Sequence, residues 1–369
     1  MDFGLSEDQQ LLEETVRKFL SDQVPITRVR EIRDACDRDR EAGCPNDRKT
    51  WSELAELGVT GILVPEAQGG SGLALLDAAL VSQALGYAAT PAPFLTTSVM
   101  LPIALAEVGG AEAEAWLVGI ATGSLTFGVA ATEAFSVREE AGVVLDGSVL
   151  RGKAMMAMDS LEADFILLSL GRDRLAVIRG DADGLSRNRL ITTDVTRCTA
   201  ELTLDGVTPE VVYEDAGNGI LRMFDAGRIV LAADVLGACE SMIEQAVAYS
   251  LVRKQFDRVI GSFQAVKHMC AEMIAELEPA RSLVWYAAYS FDSMPDEAPL
   301  MAAHALAHLS EIGREIASVS TQVHGGIGWT DEQNLHFWFK RISSARHMLG
   351  GPEFLRNRAA ELQGLVPAA

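Results

Sequence analysis

The sequence predicts an α+β chain that is mainly helical, with a β-rich stretch between two helical regions. Apolar residues recur at helical spacing near the start, at Leu11, Val16 and Leu20, and again throughout the last third. Between them, short β-prone runs such as FILLSL and RLAVIR are bounded by Gly, Asp or Asn. We therefore expect three domains, at residues 1–122, 123–215 and 216–369.

The first third has helical patterns joined by a glycine-rich loop. Ser6-Glu7-Asp8-Gln9 has the form of a capping box at a helix start. TWSELAELGV predicts a short amphipathic helix, and helical patterns continue at 75–87 and 97–117. The GGSG run, Gly69–Gly72, could cradle a phosphate, but it lacks the lysine and context of a P-loop. A turn is the favoured interpretation.

The middle stretch predicts a compact antiparallel barrel or sandwich of about 90 residues, because its strands are short and closely spaced. After it, four long helical patterns are enough for a bundle. Gly350-Gly351-Pro352 must break the chain between the last of them and a further helical-looking segment, since proline blocks the helical hydrogen bond. The four patterns cover residues 219–253, 262–293, 298–323 and 332–348.

Composition excludes several classes of function. The 369 residues carry a formal net charge of -21, which argues against unaided nucleic-acid binding because that needs a basic surface. No run of about 18 apolar residues predicts a membrane span, and the acidic start lacks the apolar region of a secretory signal. Five cysteines without CxxC spacing indicate free thiols in a reducing cytoplasm.

A metal site is not expected. His304 and His308 lie four residues apart and share one helix face, but no third ligand or nearby catalytic acid accompanies them. We interpret both as structural histidines.

Two stretches in the last third suggest a dinucleotide site. RKQFDRVIGSFQAVKH begins at Arg253 and places a positive cluster and a glutamine around a helix junction, and QVHGGIGWTDE begins at Gln322. An arginine suits a diphosphate, a glutamine amide an adenine edge, and a Gly-rich turn the close approach of a ligand. The residues alone leave the alternative open that Arg253 is an ordinary ion-pair residue and the turn a helix connection.

These two motifs resemble the C-terminal motifs of the acyl-CoA dehydrogenase family. The order of helical, β and helical regions is similar too, as are SEDQQLLEETVRKFL, GILVPEAQGGSG and the ATE at Ala131–Glu133. The resemblance spans nearly the whole chain. It implies an N-terminal helical domain, a middle β-barrel-like domain and a C-terminal four-helix bundle. It also implies an FAD enzyme that introduces an α,β double bond into an acyl-CoA and passes electrons to an acceptor like electron-transfer flavoprotein.

In that family the ADP half of FAD is held by a neighbouring subunit. The resemblance carries this role over to Arg253, Phe256, Gln264, Gln322, Gly325 and Gly326. Asp257 departs from the family, which has Gly after the phenylalanine. A carboxylate near a diphosphate is repulsive unless it points away.

The catalytic carboxylate of the family is missing. One family position for this glutamate matches Leu349 and Gly350, and the other, immediately before an arginine, matches Gly227. Glu353 and Asp225 lie nearby in sequence. The first is expected in the opening turn of a helix, and the second is about 200° around its helix from the family position.

The part of the motif that binds the flavin ring is also changed. Met155 and Ala157 stand where the family has a tryptophan and a threonine. The chain therefore resembles one subunit of the α2β2 acyl-CoA dehydrogenases of actinobacterial steroid side-chain degradation. That subunit lacks the catalytic base and pairs with a homologous subunit that carries the glutamate. Two alternatives remain: a self-sufficient homotetramer that uses Asp225 or Glu353 as its base, and a scaffold subunit that binds no FAD.

Overall fold

The computed structural model describes residues 4–38, 46–135 and 141–367. Its helices are α1 (Glu7–Gln23), α2 (Ile26–Arg38), α3 (Arg48–Glu56), α4 (Leu75–Tyr87), α5 (Leu101–Val108), α6 (Ala111–Ala121), α7 (Gly217–Val252), α8 (Gln264–Ser293), α9 (Ala298–His324), α10 (His336–Ala345) and α11 (Gly351–Leu362). Its strands are β1 (Phe127–Ala130), β2 (Gly142–Asp146), β3 (Val149–Met158), β4 (Phe165–Leu170), β5 (Arg174–Arg179), β6 (Leu185–Arg189), β7 (Thr199–Val207), β8 (Val211–Tyr213), β9 (Lys254–Gln255) and β10 (Arg258–Val259).

The chain divides into two compact units. The bundle unit comprises Met1–Val29, Ala79–Thr90 and Arg228–Ala369, and its described residues are helical apart from the β9–β10 hairpin and connecting turns. The sheet unit comprises Arg30–Ala78 and Pro91–Gly227 and holds strands β1 to β8. The fold class expected from sequence is confirmed, whereas the three domain boundaries stay a prediction.

The sheet of the sheet unit has the strand order β6-β7-β3-β1-β4-β5-β8, and β2 pairs with β3. Neighbouring strands are antiparallel except β1 and β4, which run parallel with Phe127 opposite Phe165. The expected antiparallel arrangement therefore holds for the neighbouring strands of this sheet apart from this one pair. The short strands β6 (LSRNR) and β8 (VVY) were not predicted from the sequence, because neither contains a sustained run of apolar residues.

Helix boundaries follow local chemistry. The capping box at the start of α1 is confirmed: the Ser6 hydroxyl accepts from the Gln9 amide at 3.2 Å, and the Gln9 side chain accepts from the Ser6 amide at 3.1 Å. The expected helix at 97–117 is interrupted, because Gly109 and Gly110 adopt positive φ between α5 and α6. A π-helical turn, Phe94–Met100, precedes α5.

The GGSG run is a turn, as favoured from sequence. Gly69 has φ +81°, and a Cβ on Gly70 would lie 2.1 Å from the Val64 carbonyl oxygen. The run therefore packs against its own loop.

Within the bundle unit, α4 and α7 touch backbone to backbone. A Cβ on Gly237 of α7 would lie 1.8 Å from the Gln83 carbonyl oxygen, and one on Gly86 of α4 would lie 2.0 Å from the Asp234 carbonyl oxygen. Real Cβ atoms do not approach oxygen so closely, so glycine is required on both helices. The close approach lets polar side chains bridge the two helices nearby.

Two charge clusters stabilise the bundle unit, one half-buried around Glu240 and one buried around Asp234. The Glu240 carboxylate of α7 accepts hydrogen bonds from the Arg17 guanidinium at 2.8 Å and from the side-chain amide of Gln83 at 2.7 Å. It also forms an ion pair with Arg281 of α8. Asp234 pairs with Arg341 of α10 through bonds of 2.6 to 3.2 Å, and both side chains are at most 7% exposed. These contacts join α1, α4, α7, α8 and α10.

Gly237→Ala is expected to destabilise the chain by about 1–3 kcal/mol or more, because the added methyl forces α4 and α7 apart. Urea unfolding of the purified chain measures the loss. Gly326→Ala is the matched control, since a Cβ there meets no atom within 4 Å. An unchanged unfolding midpoint in Gly237→Ala would contradict the close helix contact.

Cysteines Cys36, Cys198, Cys239 and Cys270 are free thiols, and Cys44 lies outside the described residues. Burial of Cys239 raises the pKa of its thiol far above the usual range, so this thiol stays protonated and unreactive. No helix in the described ranges is both long enough and apolar enough to cross a membrane.

Candidate functional site

The first part of the candidate site is the connection from α7 to α8. The Arg253 amide donates to the Tyr249 carbonyl at 2.9 Å, and the chain then forms the β9–β10 hairpin. Phe256 and Asp257 at its tip have φ of 54° and 62°. A two-residue turn with both φ values positive matches the twist of a hairpin, and aspartate tolerates this conformation. The hairpin thus accommodates Asp257 where the family has glycine.

The hairpin folds against the start of α8. Phe263 precedes α8 in an extended conformation. Its ring lies 3.9 Å beneath the Arg258 guanidinium and 6.2 Å from the ring of Phe256. Phe256 is nevertheless 87% exposed, and Gln264, the first residue of α8, is exposed as well. Both predicted site residues are therefore accessible to a ligand or a partner chain.

The second part of the candidate site is the turn that ends α9. Gln322 is exposed in the last turn of the helix. Gly325 ends the helix with φ 65° and ψ -147°, a conformation that essentially requires glycine. A Cβ on Gly325 or Gly326 would meet no atom within 4 Å, whereas one on Gly328 would collide with Thr321 and His324. The first two glycines leave open space above the backbone, and Gly328 is needed for packing.

His324 joins the two parts of the site and was missed from sequence. Its buried ring stacks on Tyr249 with centroids 4.7 Å apart, and Nδ1 donates to the Ser320 carbonyl at 2.8 Å. Burial lowers the pKa of His324, so the ring is held neutral. Because Tyr249 lies one turn before Arg253 and His324 directly precedes Gly325, this stack brings both motifs to the same end of the bundle unit.

This end of the bundle unit also carries cations. Arg253, Lys254, Arg258 and Lys267 are exposed, and none forms an ion pair with another residue in the described ranges. Uncompensated cations are notable in a chain whose net charge is -21. Together with the open space above Gly325, they fit an anionic, extended ligand such as the diphosphate of a dinucleotide.

The positions that match the family's base hold no carboxylate. Leu349 is 3% exposed in a left-handed conformation, φ 53°, and its carbonyl accepts from the Arg228 Nε at 3.1 Å. A Cβ on Gly350 would lie 2.5 Å from the Phe354 ring, so this turn is filled. Gly227 lies within α7. Glu353 is exposed in the first turn of α11, as expected from sequence.

The segment that matches the family's flavin-ring motif lies on β3 of the sheet unit. Ala157 is fully buried and follows an irregularity in the β3–β7 pairing, where Met156 has φ 55°. The Met155 amide donates to the Glu133 carboxylate at 3.3 Å. No aromatic ring or hydroxyl is available at these two positions.

Within the described residues, no group of three or more His, Cys, Asp or Glu side chains could hold a metal ion.

Models of two domains of one family of oxidoreductases that act on acyl-CoA match most of the chain. Residues 6–124 match the model of the N-terminal domain of acyl-CoA dehydrogenases, and residues 217–363 match that of the C-terminal domain. Acyl-CoA dehydrogenase IpdE2 of Mycolicibacterium smegmatis is 31% identical over 361 residues, covering 97% of this chain and all of its own. The chain belongs to the acyl-CoA dehydrogenase family, whose members use FAD.

Solved structures have the same fold. A structure described as a variant of the Tcur3481-Tcur3483 steroid ACAD is 29% identical with a TM-score of 0.86, and the match covers 97% of this chain and 98% of that one. The ChsE4-ChsE5 complex from Mycobacterium tuberculosis is 24% identical with a TM-score of 0.89 over the full length of both chains. Both are similar to this chain along nearly its whole length.

Proposed function

We propose that this chain is the subunit without a base in a heteromeric acyl-CoA dehydrogenase. In this model it supplies the ADP half of the FAD site to a homologous partner subunit that carries the catalytic glutamate. One observation carries the proposal. The residues matched to ADP binding are exposed at one end of the bundle unit, while Leu349 and Gly227 occupy both positions of the base.

Each residue has a chemical role in this proposal. The Arg253 guanidinium binds the diphosphate, because a planar fork of donors matches phosphate oxygens. The amides of Gln264 and Gln322 offer hydrogen bonds to the adenosine part, and Gly325 and Gly326 allow the backbone to approach it closely. When bound, FAD supplies the hydride acceptor of the reaction. The partner subunit then holds the carboxylate that takes the α-proton.

The substrate and the assembly belong to the same proposal. We infer that the substrate is the acyl-CoA of a steroid side chain, supported by the similar steroid ACAD structure. We infer an α2β2 assembly in the cytoplasm, and the similarity to a chain of the ChsE4-ChsE5 complex supports its heteromeric character. An acceptor resembling electron-transfer flavoprotein would reoxidise the flavin.

Flavin counting tests the proposal. The chain is purified alone and after co-expression with a homologous acyl-CoA dehydrogenase chain that carries the glutamate, and FAD is measured by absorbance. We expect little flavin in the isolated chain and two FAD per α2β2 complex. Full flavin and activity in the isolated chain would instead support a self-sufficient enzyme, and a complex without flavin would support a scaffold.

A further inference from the structure

The first half of α8 mixes apolar and charged residues, and the bundle unit covers little of it. Among residues 264–279, only Met273 and Leu277 are buried. A helix that packs in a bundle normally buries three or four residues in every two turns. A segment of this length has about four turns and would therefore normally bury roughly six to eight residues. Ile274 is 41% exposed. This half of α8 therefore presents a face that no described part of the chain covers.

A groove of about 430 Å³ lies between this half of α8 and α9. Helix α8 contributes four lining residues and α9 contributes six, and four on each helix have the i, i+3, i+4, i+7 spacing that defines one helix face. These residues are Met269, Glu272, Met273 and Glu276 from α8, and Ile312, Glu315, Ile316 and Val319 from α9. The groove thus combines apolar Met, Ile and Val side chains with carboxylates from both helices.

The charge of the groove is negative. Glu272, Glu276 and Glu315 are exposed and form no ion pair with another residue of the described ranges. Glu311, at one end, is already paired with Arg346 at 2.8 Å and Arg356 at 3.4 Å.

Arg314 is the cation among the residues that line the groove. Three carboxylates against one guanidinium leave the rim acidic.

A second copy of this chain is a poor occupant for the groove. Closed two-fold dimers bring the same surface patch of both subunits together. The same acidic rim, with Glu272, Glu276 and Glu315, would then be present on both sides of the contact, and like charges across an interface disfavour that pairing. A groove with an apolar floor and an acidic rim is complementary to a helix whose apolar stripe is flanked by Lys or Arg.

We propose that this groove docks a helix of the homologous partner subunit that carries an apolar stripe flanked by basic residues. It thereby selects that subunit over a second copy of this chain. The inference rests on the proposed function. It is also supported by position, because α8 begins with Gln264 and reaches Met269 within about 8 Å along its axis. One helix then serves both the flavin and the choice of partner.

Hydrogen exchange locates the contact directly. Deuterium uptake is compared between the isolated chain and the co-expressed complex. Peptides spanning 269–276 and 312–319 are expected to exchange at least tenfold more slowly in the complex. Unchanged exchange in these peptides within a flavin-containing complex would overturn the groove proposal and leave the proposed function standing. Protection of the same peptides in the isolated chain at rising concentration would assign the groove to a second copy, and would also overturn it.

Charge reversal tests the acidic rim. Glu272→Lys with Glu276→Lys is expected to weaken the complex at least tenfold in analytical ultracentrifugation. The control is Glu14→Lys with Asp22→Lys, which changes the net charge equally at exposed residues of α1. Circular dichroism verifies that both double variants fold. Equal weakening by both would show that only overall charge matters and would overturn the proposal. Failure of the wild-type chains to form any complex would overturn the proposed function as well.

Discussion

Arg253→Ala is expected to remove most of the FAD from the complex while leaving the subunits assembled. Arg253 is exposed, lies outside the helical core and forms no ion pair within the described ranges, so its removal does not disturb packing. Loss of a charge-assisted hydrogen bond costs about 1.5–3 kcal/mol, which corresponds to roughly 10–150-fold weaker flavin binding. Absorbance of the purified complex gives the flavin content, and titration of the flavin-free complex gives the affinity.

The matched control for this experiment is Lys18→Ala, which removes one positive charge from an exposed position on α1. It is expected to keep the full flavin content. Arg253→Lys is expected to recover binding only in part, because an ammonium cannot reproduce the planar fork of a guanidinium. Full flavin in Arg253→Ala would refute the role assigned to this residue and would restore its interpretation as an ordinary surface arginine.

Asp234→Ala is expected to destabilise the chain by about 3–5 kcal/mol. The substitution leaves the Arg341 guanidinium buried without the carboxylate that now binds it through both oxygens. Removing one partner of a buried ion pair leaves a charge that has lost its compensation inside the protein. Urea unfolding monitored by circular dichroism measures the loss, and the soluble yield is expected to fall with it.

Two further variants separate the effect of burial on stability from the effect of ion pairing itself. Asp181→Ala removes an equally bidentate partner, since Arg179 binds both oxygens of Asp181 at 2.8 and 3.1 Å, but this pair lies in solvent. It is expected to leave the unfolding midpoint unchanged. Replacing both Asp234 and Arg341 by apolar residues of similar volume is expected to recover most of the lost stability. A small effect in Asp234→Ala would contradict the stabilising role assigned to this ion pair.

The sequence predicts elements well where local chemistry decides them. The capping box at Ser6 and the bounds of α4 follow from side chains close to those positions, and both are found in the structure. β6 and the parallel pairing of β1 with β4 depend on contacts between residues far apart in the chain. Hydrophobic periodicity reports the local pattern of one segment and does not indicate which distant strand pairs with it. These features could therefore not be predicted.

The candidate site shows the same division. Arg253, Gln264, Gln322 and the Gly325–Gly326 turn could be singled out as candidates because they belong to short motifs. His324 was not singled out, since its role depends on a stack against Tyr249, which lies on a different helix. A polar residue directly before a glycine pair at a helix end was the only available signal. The tolerance of Asp257 likewise became clear only once the hairpin gave it a positive φ.

The glycine contact between α4 and α7 has a genetic consequence. Every missense change of a glycine codon adds a side chain, so at Gly86 and Gly237 each such mutation meets a carbonyl oxygen of the facing helix. A random-mutagenesis screen for loss of dehydrogenase activity should therefore recover these two codons alongside that of Arg253. Cellular abundance is expected to distinguish the two classes of allele. The glycine alleles should lower the amount of protein, whereas the arginine allele should leave the amount unchanged and reduce the bound flavin.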